Sequence, residues 1–326
     1  MTILTPSSAG IVRTLDFAEF FAHDAGTRNK FCQELVGCLS NVGFVKLLNH
    51  GFDREYINQV FQWNRRFFSL PIAAKSKAAH PPEANPHRGY SYVGQEKLSM
   101  VKDFEKGVRE PESFDQGPAY DELYQNRWPD ESDLPGFREF MESFYEDCHR
   151  VHQRILQALA VGLGLDSMFL QDLCNRNTAE LRLNHYPLYD ASQVRPGAKR
   201  ISEHTDFGTI TMLFQDSVGG LEVEDQGMPG HYLPVPCDDT SEMVLNIGDC
   251  LQRWTNGKFL STSHRVILPD GINARVEERY SVAYFGKPNR LQNVGVLPIF
   301  VREGETAKYG DITAWEYNQE KLILTY

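Results

Sequence analysis

The sequence is short of several things. No apolar run approaches the roughly 20 residues needed to cross a bilayer, so no membrane span is expected. The N-terminal MTILTPSSAG lacks a charged region followed by an apolar one, which leaves no secretory signal to read. Positive charge is scarce: 33 Lys and Arg stand against 44 Asp and Glu, a formal net charge of −11. Nucleic acid and anionic membranes are bound through basic stripes that neutralise phosphates, so neither partner is expected. Six cysteines (Cys32, Cys38, Cys148, Cys174, Cys237 and Cys250) are scattered with no CxxC pair. In a chain of this size they read as reduced core thiols, not a disulfide framework, and the expected location is cytoplasmic. Repeats, low-complexity blocks and obvious linkers are missing too. With 326 residues, 41% of them hydrophobic, a single compact domain over 1–326 is expected.

What is present falls into two parts. Residues 28–40 carry apolar positions at helical spacing, and GFVKLLNHGF (43–52) reads as a buried strand ending in a turn. A second amphipathic helix follows over 54–68, closed by Leu70-Pro71. From 78 to 130 proline, glycine and polar residues suggest loops with short strands. A long helical pattern over 135–163 aligns Phe137, Phe140, Met141, Phe144, Val151, Ile155 and Leu159, and Gly162 and Gly164 end it. From about 180 onward, short β-branched and aromatic segments recur between turns: LRLNHYP, GTITMLFQD, LEVED, MVLNIGD, RVILP, YSVAYFG. That rhythm predicts a β-sandwich or open barrel, not a parallel α/β sheet. WEYNQEKLILTY reads as a closing helix. The expected class is α+β with a β-core: an α-rich N-terminal region (10–130), the core (175–295) and a C-terminal segment (296–326).

Ser202-Glu203-His204-Thr205-Asp206 is the strongest local feature. On an extended segment residues i and i+2 share a face about 6–7 Å apart, so the imidazole and carboxylate can chelate one metal. An isolated HxD is more often a solvated pair at a strand end. His264, 58 residues after Asp206 in the β-region, can complete a face of two histidines and one carboxylate. Such a face leaves adjacent positions open, as non-haem Fe(II) oxygenases require, but catalytic zinc also accepts these ligands. Arg279 and Ser281 of RYS share a strand face, offering a planar cationic fork and a hydroxyl to a distal carboxylate. The apolar run that follows them implies burial, and a buried arginine needs an anion.

HTD at 204–206, His264 and RYS at 279–281 resemble the signature of Fe(II)/2-oxoglutarate dioxygenases. NHGF (49–52), FFSLP (67–71), RGY (88–90), LRLNHYP (181–187), DSVGGLEV (216–223) and NIGDCLQRWTNGKFLSTSHRV (246–266) extend the resemblance to the isopenicillin-N-synthase-like branch, nearly end to end. Within it, HYP, the EHTDFGTITMLFQDSVGGLEV run and SVAYFGKPN are similar to fungal thymine 7-hydroxylase. They also resemble fungal secondary-metabolite oxygenases that hydroxylate aryl methyl groups or expand rings to tropolones.

The resemblance implies a double-stranded β-helix (jelly roll) and dioxygen as oxidant. Fe(II) would sit on His204, Asp206 and His264, and the co-substrate 2-oxoglutarate on Arg279, Ser281, Asn184 and Tyr186. The one departure is the insert DGINARVEE, which lengthens the spacing from His264 to Arg279. The implied activity oxidises an unactivated or benzylic C–H of a small acidic or cyclic molecule in fungal secondary metabolism, giving succinate and CO2. Ring expansion, desaturation and pyrimidine methyl hydroxylation are alternatives within the family; a zinc hydrolase and a non-catalytic jelly-roll binding protein are those outside it. No obligate protein partner is implied.

Arg88, Tyr90, Phe114, Arg182, Phe207 and Phe285 fall where relatives line the substrate side. Arg182 shares a face with Asn184 and Tyr186, so it either aims a positive charge into the cavity or pairs with a nearby carboxylate. His185 belongs to the opposite face, His50 to a turn, His149 and His152 to a solvated helix face, and Gly219-Gly220 to a turn between strands.

Overall fold

The computed structural model describes residues 12–81, 86–93, 95, 111–190, 199–268 and 275–323. Helical periodicity builds α1 (Ala25–Asn41), α2 (Arg54–Phe68), α3 (Ile72–Lys75), α4 (Phe137–Gly162), α5 (Phe169–Asp172), α6 (Asp249–Trp254) and α7 (Ala314–Ile323). Asp24 and Asp53 cap α1 and α2 by accepting from the amides of Thr27 and Tyr56, both at 2.7 Å. These carboxylates therefore set where the helices start.

The major sheet has eight strands in the order β1 (Thr14–Asp16), β2 (Phe44–Leu48), β11 (Met243–Ile247), β8 (Ile210–Gln215), β14 (Arg279–Phe285), β5 (Glu180–Tyr186), β4 (Glu112–Gln116) and β3 (Gly89–Ser91). The minor sheet runs β10 (Tyr232–Pro234), β9 (Leu221–Glu224), β12 (His264–Ile267) and β7 (Lys199–His204). A third ladder pairs β13 (Arg275–Val276) with β6 (Tyr189–Asp190). That ladder falls inside the long spacing between His264 and Arg279, part of which (269–274) lies outside the described residues. The closing helix is present, with residues 324–326 outside the described set.

Alternation on each strand sorts residues between two cores. Phe44 and Val244 of the major sheet meet Leu221, Val223 and Val266 of the minor sheet, which cements the sandwich. On the other face, Leu181, Leu183 and Val282 join the large core with Phe137, Met141, Phe144 and Ile155 of α4. Helices α1 and α4 lie unusually close at Gly162, where a Cβ would come 2.3 Å from the Cys32 carbonyl. Gly162, the last residue of α4, thus permits the crossing, and Gly164 (φ 74°) stands just past the helix end. All six cysteines are free, five of them buried. Among the described residues no helix is long and apolar enough to cross a membrane.

His152 corrects an expectation. Its ring is buried under β8 and β14, with Nε2 3.1 Å from Thr209 Oγ1, and is not on a solvated helix face. Sequence periodicity places it beside Tyr145 and Cys148 on the inner face of α4, and that placement prevails over its polarity. Burial holds His152 at about 3, against an ordinary value of 6.5. Between those values the unfolded chain binds a proton that the folded chain excludes, so stability falls as pH drops through that window. In His152→Gln the loss of thermal stability between pH 6.5 and 4 is expected to be shallower than in the wild type. Melting curves across that range check it, and an unchanged slope would count against it.

Candidate active site

The site begins where β7 and β12 pair. His264 lies opposite His204 in the register, with ring centroids 4.2 Å apart. The Nδ1 atoms sit 2.9 Å from the Ser202 carbonyl and 3.2 Å from the Thr262 carbonyl. Protons on Nδ1 satisfy those carbonyls and leave each Nε2 with its lone pair. Both Nε2 atoms approach Asp206 Oδ1, at 3.9 Å for His204 and 3.8 Å for His264. Among the described residues this is the one group of His, Cys, Asp and Glu whose ligand atoms lie within 4.8 Å of one another.

Asp206 is reached differently from the sequence expectation. The strand ends at His204, and Asp206 stands in the turn beyond it, so no shared strand face aligns the pair. The major sheet aligns it instead. Thr211 Oγ1 of β8 and Asn246 Nδ2 of β11 both donate to Oδ2, at 2.6 and 2.7 Å. The Asp249 amide donates to the Asp206 carbonyl at 2.7 Å. One carboxylate oxygen is thereby occupied and the other is turned to the histidines. The minor sheet supplies the imidazoles and the major sheet fixes the carboxylate, so the triad bridges the two layers.

The electrostatics suit a divalent cation. Burial, with His264 beside it, holds His204 at about 4, so its ring is neutral near pH 7. Burial pushes the Asp206 carboxyl up, but the two histidines and the bonds from Asn246 and Thr211 outweigh it and leave it below the ordinary range. Two imidazole nitrogens and one carboxylate match a facial iron site.

Beside the triad is a cavity of about 120 Å³, walled by Phe207, Phe285, Ile201 and Leu322 on its apolar side. Its polar wall is β5, whose alternate residues Glu180, Arg182 and Asn184 all line it. Among the described residues the lining stops at Asn184, whose Nδ2 donates to Ser281 Oγ at 3.3 Å. Arg279 lies one bond further, its Nη1 3.3 Å from the same hydroxyl. Arg279 is 1% exposed, and its other bonds reach Gly219 O (2.8 Å) and Gln215 Oε1 (3.0 Å). The Tyr186 ring lies 4.9 Å from its Cζ. No carboxylate among the described residues neutralises Arg279. A buried guanidinium without an anion is costly, and this arrangement can accept a carboxylate.

Three candidate pocket residues are displaced from the cavity. Phe114 packs on Phe67, Trp128 and Phe137, because on β4 it is Ser113 that faces the cavity and alternation sends Phe114 to the helices. Tyr90, its partner across the ladder, turns the same way and donates to Glu112 at 2.6 Å. Arg88 points to Asp121 and Glu180 behind the cavity wall. Arg182 fulfils both of its expectations: it lines the cavity and is held by Asp115 through contacts of 2.7 and 3.1 Å. His185 lies on the reverse face, bonded to Glu112 and Glu278.

Sequence reasoning missed Thr211, Asn246, Asp115, Glu180 and Lys287. Asn246 carries a legible signal, a lone amide inside a fully buried strand, MVLNI. The Asp115 pairing carries none, since it depends on β4 docking beside β5.

Comparisons with known proteins agree with this geometry. Residues 12–131 match the family described as non-haem dioxygenase in morphine synthesis N-terminal, and residues 177–288 match the 2OG-Fe(II) oxygenase superfamily. A 2-oxoglutarate-Fe(II) type oxidoreductase of Metarhizium rileyi is 63% identical over 322 residues, covering 97% of this chain and 91% of that protein. A proline hydroxylase of Petromyces alliaceus is 51% identical, covering 97% and 99%. The crystal structure of full-length Neurospora crassa thymine 7-hydroxylase with alpha-KG and thymine superposes with a TM-score of 0.88 at 32% identity, covering 99% of each chain.

Proposed function

Because the chain belongs to the 2OG-Fe(II) oxygenase superfamily, we propose that His204, Asp206 and His264 hold its Fe(II) and that Arg279 and Ser281 hold the distal carboxylate of 2-oxoglutarate. The enzyme is a 2-oxoglutarate-dependent dioxygenase, which turns the choice left open by the ligand types away from zinc hydrolysis. When bound, iron with 2-oxoglutarate supplies the activation of dioxygen, with succinate and CO2 as co-products and oxidation of a substrate C–H bond. The chain's own part is placement. Asn246 and Thr211 hold Asp206 in its ligating orientation; Asn184 and Tyr186 position the Arg279–Ser281 pair; Phe207, Phe285 and Leu322 exclude water beside the triad.

The substrate is a small cyclic molecule of fungal secondary metabolism, oxidised at an unactivated C–H. The observation carrying this reading is the cavity of about 120 Å³ that joins the triad to a polar wall. The relative named a proline hydroxylase makes a cyclic amino acid the first candidate. Oxidation of a pyrimidine methyl is the second reading, supported by the structural neighbour that holds thymine. The test is substrate-dependent succinate release with Fe(II), 2-oxoglutarate and dioxygen, and the mass of each product. Hydroxylated product in step with succinate is expected; no stimulation by cyclic amino acids or pyrimidines would overturn the reading.

Asn246→Leu keeps the volume and removes the donor to Asp206. Loss of such an orienting bond costs about 10–100-fold in metal affinity. Iron titration of this variant is expected to show that weakening with the fold intact; wild-type affinity would deny Asn246 the role.

A further inference from the structure

The polar end of the cavity is built from more charge than stability requires. Glu180 Oε2 accepts from Lys287 Nζ at 2.7 Å, and Oε1 lies 3.4 Å from Arg88 Nη1. Arg88 also meets Asp121, which Arg290 clamps from the other side. Among the described residues this cluster holds three cations (Arg88, Lys287, Arg290) against two carboxylates (Glu180, Asp121). A buried ion cluster is a poor source of stability, because desolvation offsets the attraction. One that sets opposite charges side by side on a cavity wall is arranged for a ligand.

Two members face that ligand. Both Glu180 and Lys287 line the cavity that holds His204 and Asp206. Lys287 reaches it beside Gly208, two residues past Asp206, where a Cβ would lie 3.6 Å from Lys287 Cγ. The ammonium gives two of its three protons to Glu180 and to Asn318 Oδ1 of α7, the latter at 3.1 Å. We infer that Glu180 and Lys287 select the charge class of the substrate: a free amino or imino acid whose carboxylate sits on Lys287 and whose ammonium sits on Glu180. This rests on the dioxygenase reading above and concerns the same cavity.

The alternatives fit less well. A neutral ring brings a charge to neither Lys287 nor Glu180, and a plain anion is drawn to Lys287 but faces the Glu180 carboxylate. Burial pushes the Glu180 carboxyl up, yet Lys287, Arg88 and His87 outweigh it and hold it at about 2, so its negative charge persists across the working pH range. Arg182, two residues along the same face and fixed by Asp115, adds a second cation on the side nearer Asn184.

The test uses the iron-loaded enzyme with 2-oxoglutarate and ring compounds of similar size but different charge: L-proline and L-pipecolate (zwitterions), tetrahydrofuran-2-carboxylate (anion), L-prolinamide (cation) and thymine (neutral). The zwitterions are expected to exceed every other class in kcat/KM for succinate release by at least about tenfold, since unpaired buried polar groups penalise the wrong ligand. Glu180→Gln should narrow the gap between proline and the anion, and Lys287→Met the gap between proline and prolinamide. An anion or neutral ring that equals the zwitterions in the wild type overturns the inference without any variant and leaves the dioxygenase reading standing. Wild-type ratios in both folded variants overturn it as well. If no compound stimulates succinate release, the reading above falls, and this inference with it.

Discussion

Replacing Arg279 by methionine is expected to raise the apparent KM for 2-oxoglutarate by about 10²–10³-fold. The size follows from burial. Breaking one side of a buried charge pair costs about 3–5 kcal/mol, because the partner is left unpaired, and each 1.4 kcal/mol is about tenfold. Arg279 is inside the protein, and its nearest polar atoms are a backbone carbonyl, an amide oxygen and the Ser281 hydroxyl. None of these carries negative charge, and among the described residues no carboxylate balances Arg279, which suits a carboxylate brought by a ligand. Methionine keeps most of the volume and removes the fork. Initial rates of succinate formation against 2-oxoglutarate concentration check it, with the melting temperature reporting on the fold. An unchanged KM would remove Arg279 from the co-substrate site.

Asp206→Ala is expected to abolish stoichiometric Fe(II) binding and to lower turnover by more than about a thousandfold, since losing an orienting bond to a ligand alone costs about 10–100-fold. On the proposed ligand set, no other group can replace this carboxylate. Asp206 Oδ1 is the atom both Nε2 atoms approach, and the described triad has no second carboxylate to take its place. Without it, Thr211 and Asn246 direct their donors at an empty space, and His204 and His264 remain as two imidazoles with little hold on a divalent cation. Iron content after gel filtration, measured beside the wild type, checks it; one iron per chain retained in the variant would exclude Asp206 as a ligand.

Much of this was legible in the sequence, for identifiable reasons. Helix α2 was readable to the residue because Asp53 caps it and its apolar stripe is continuous. The triad and the RYS strand were readable because their chemistry demands particular residue types. The contacts that orient them were harder to find. Asn246 and Thr211 serve Asp206 only because β8 and β11 are neighbours, a long-range pairing with no local spacing to betray it. Phe114 and Tyr90 were placed on the wrong side because short strands β3 and β4 carry too few residues to show which alternate face is apolar. His152 was misjudged for trusting polarity over position on α4. Glu180 and Lys287 were missed because they lie 107 positions apart and meet only where the ends of β5 and β14 come together.

The central claim is that one ligand, 2-oxoglutarate, is gripped at one end by Arg279 and at the other by iron on His204, Asp206 and His264. Anaerobic calorimetric titration of 2-oxoglutarate into the protein, with and without one equivalent of Fe(II), tests it directly. The account predicts tight one-to-one binding with iron and binding weaker by at least about tenfold without it, since one of two anchors is lost. Equal affinity in the two titrations would contradict it.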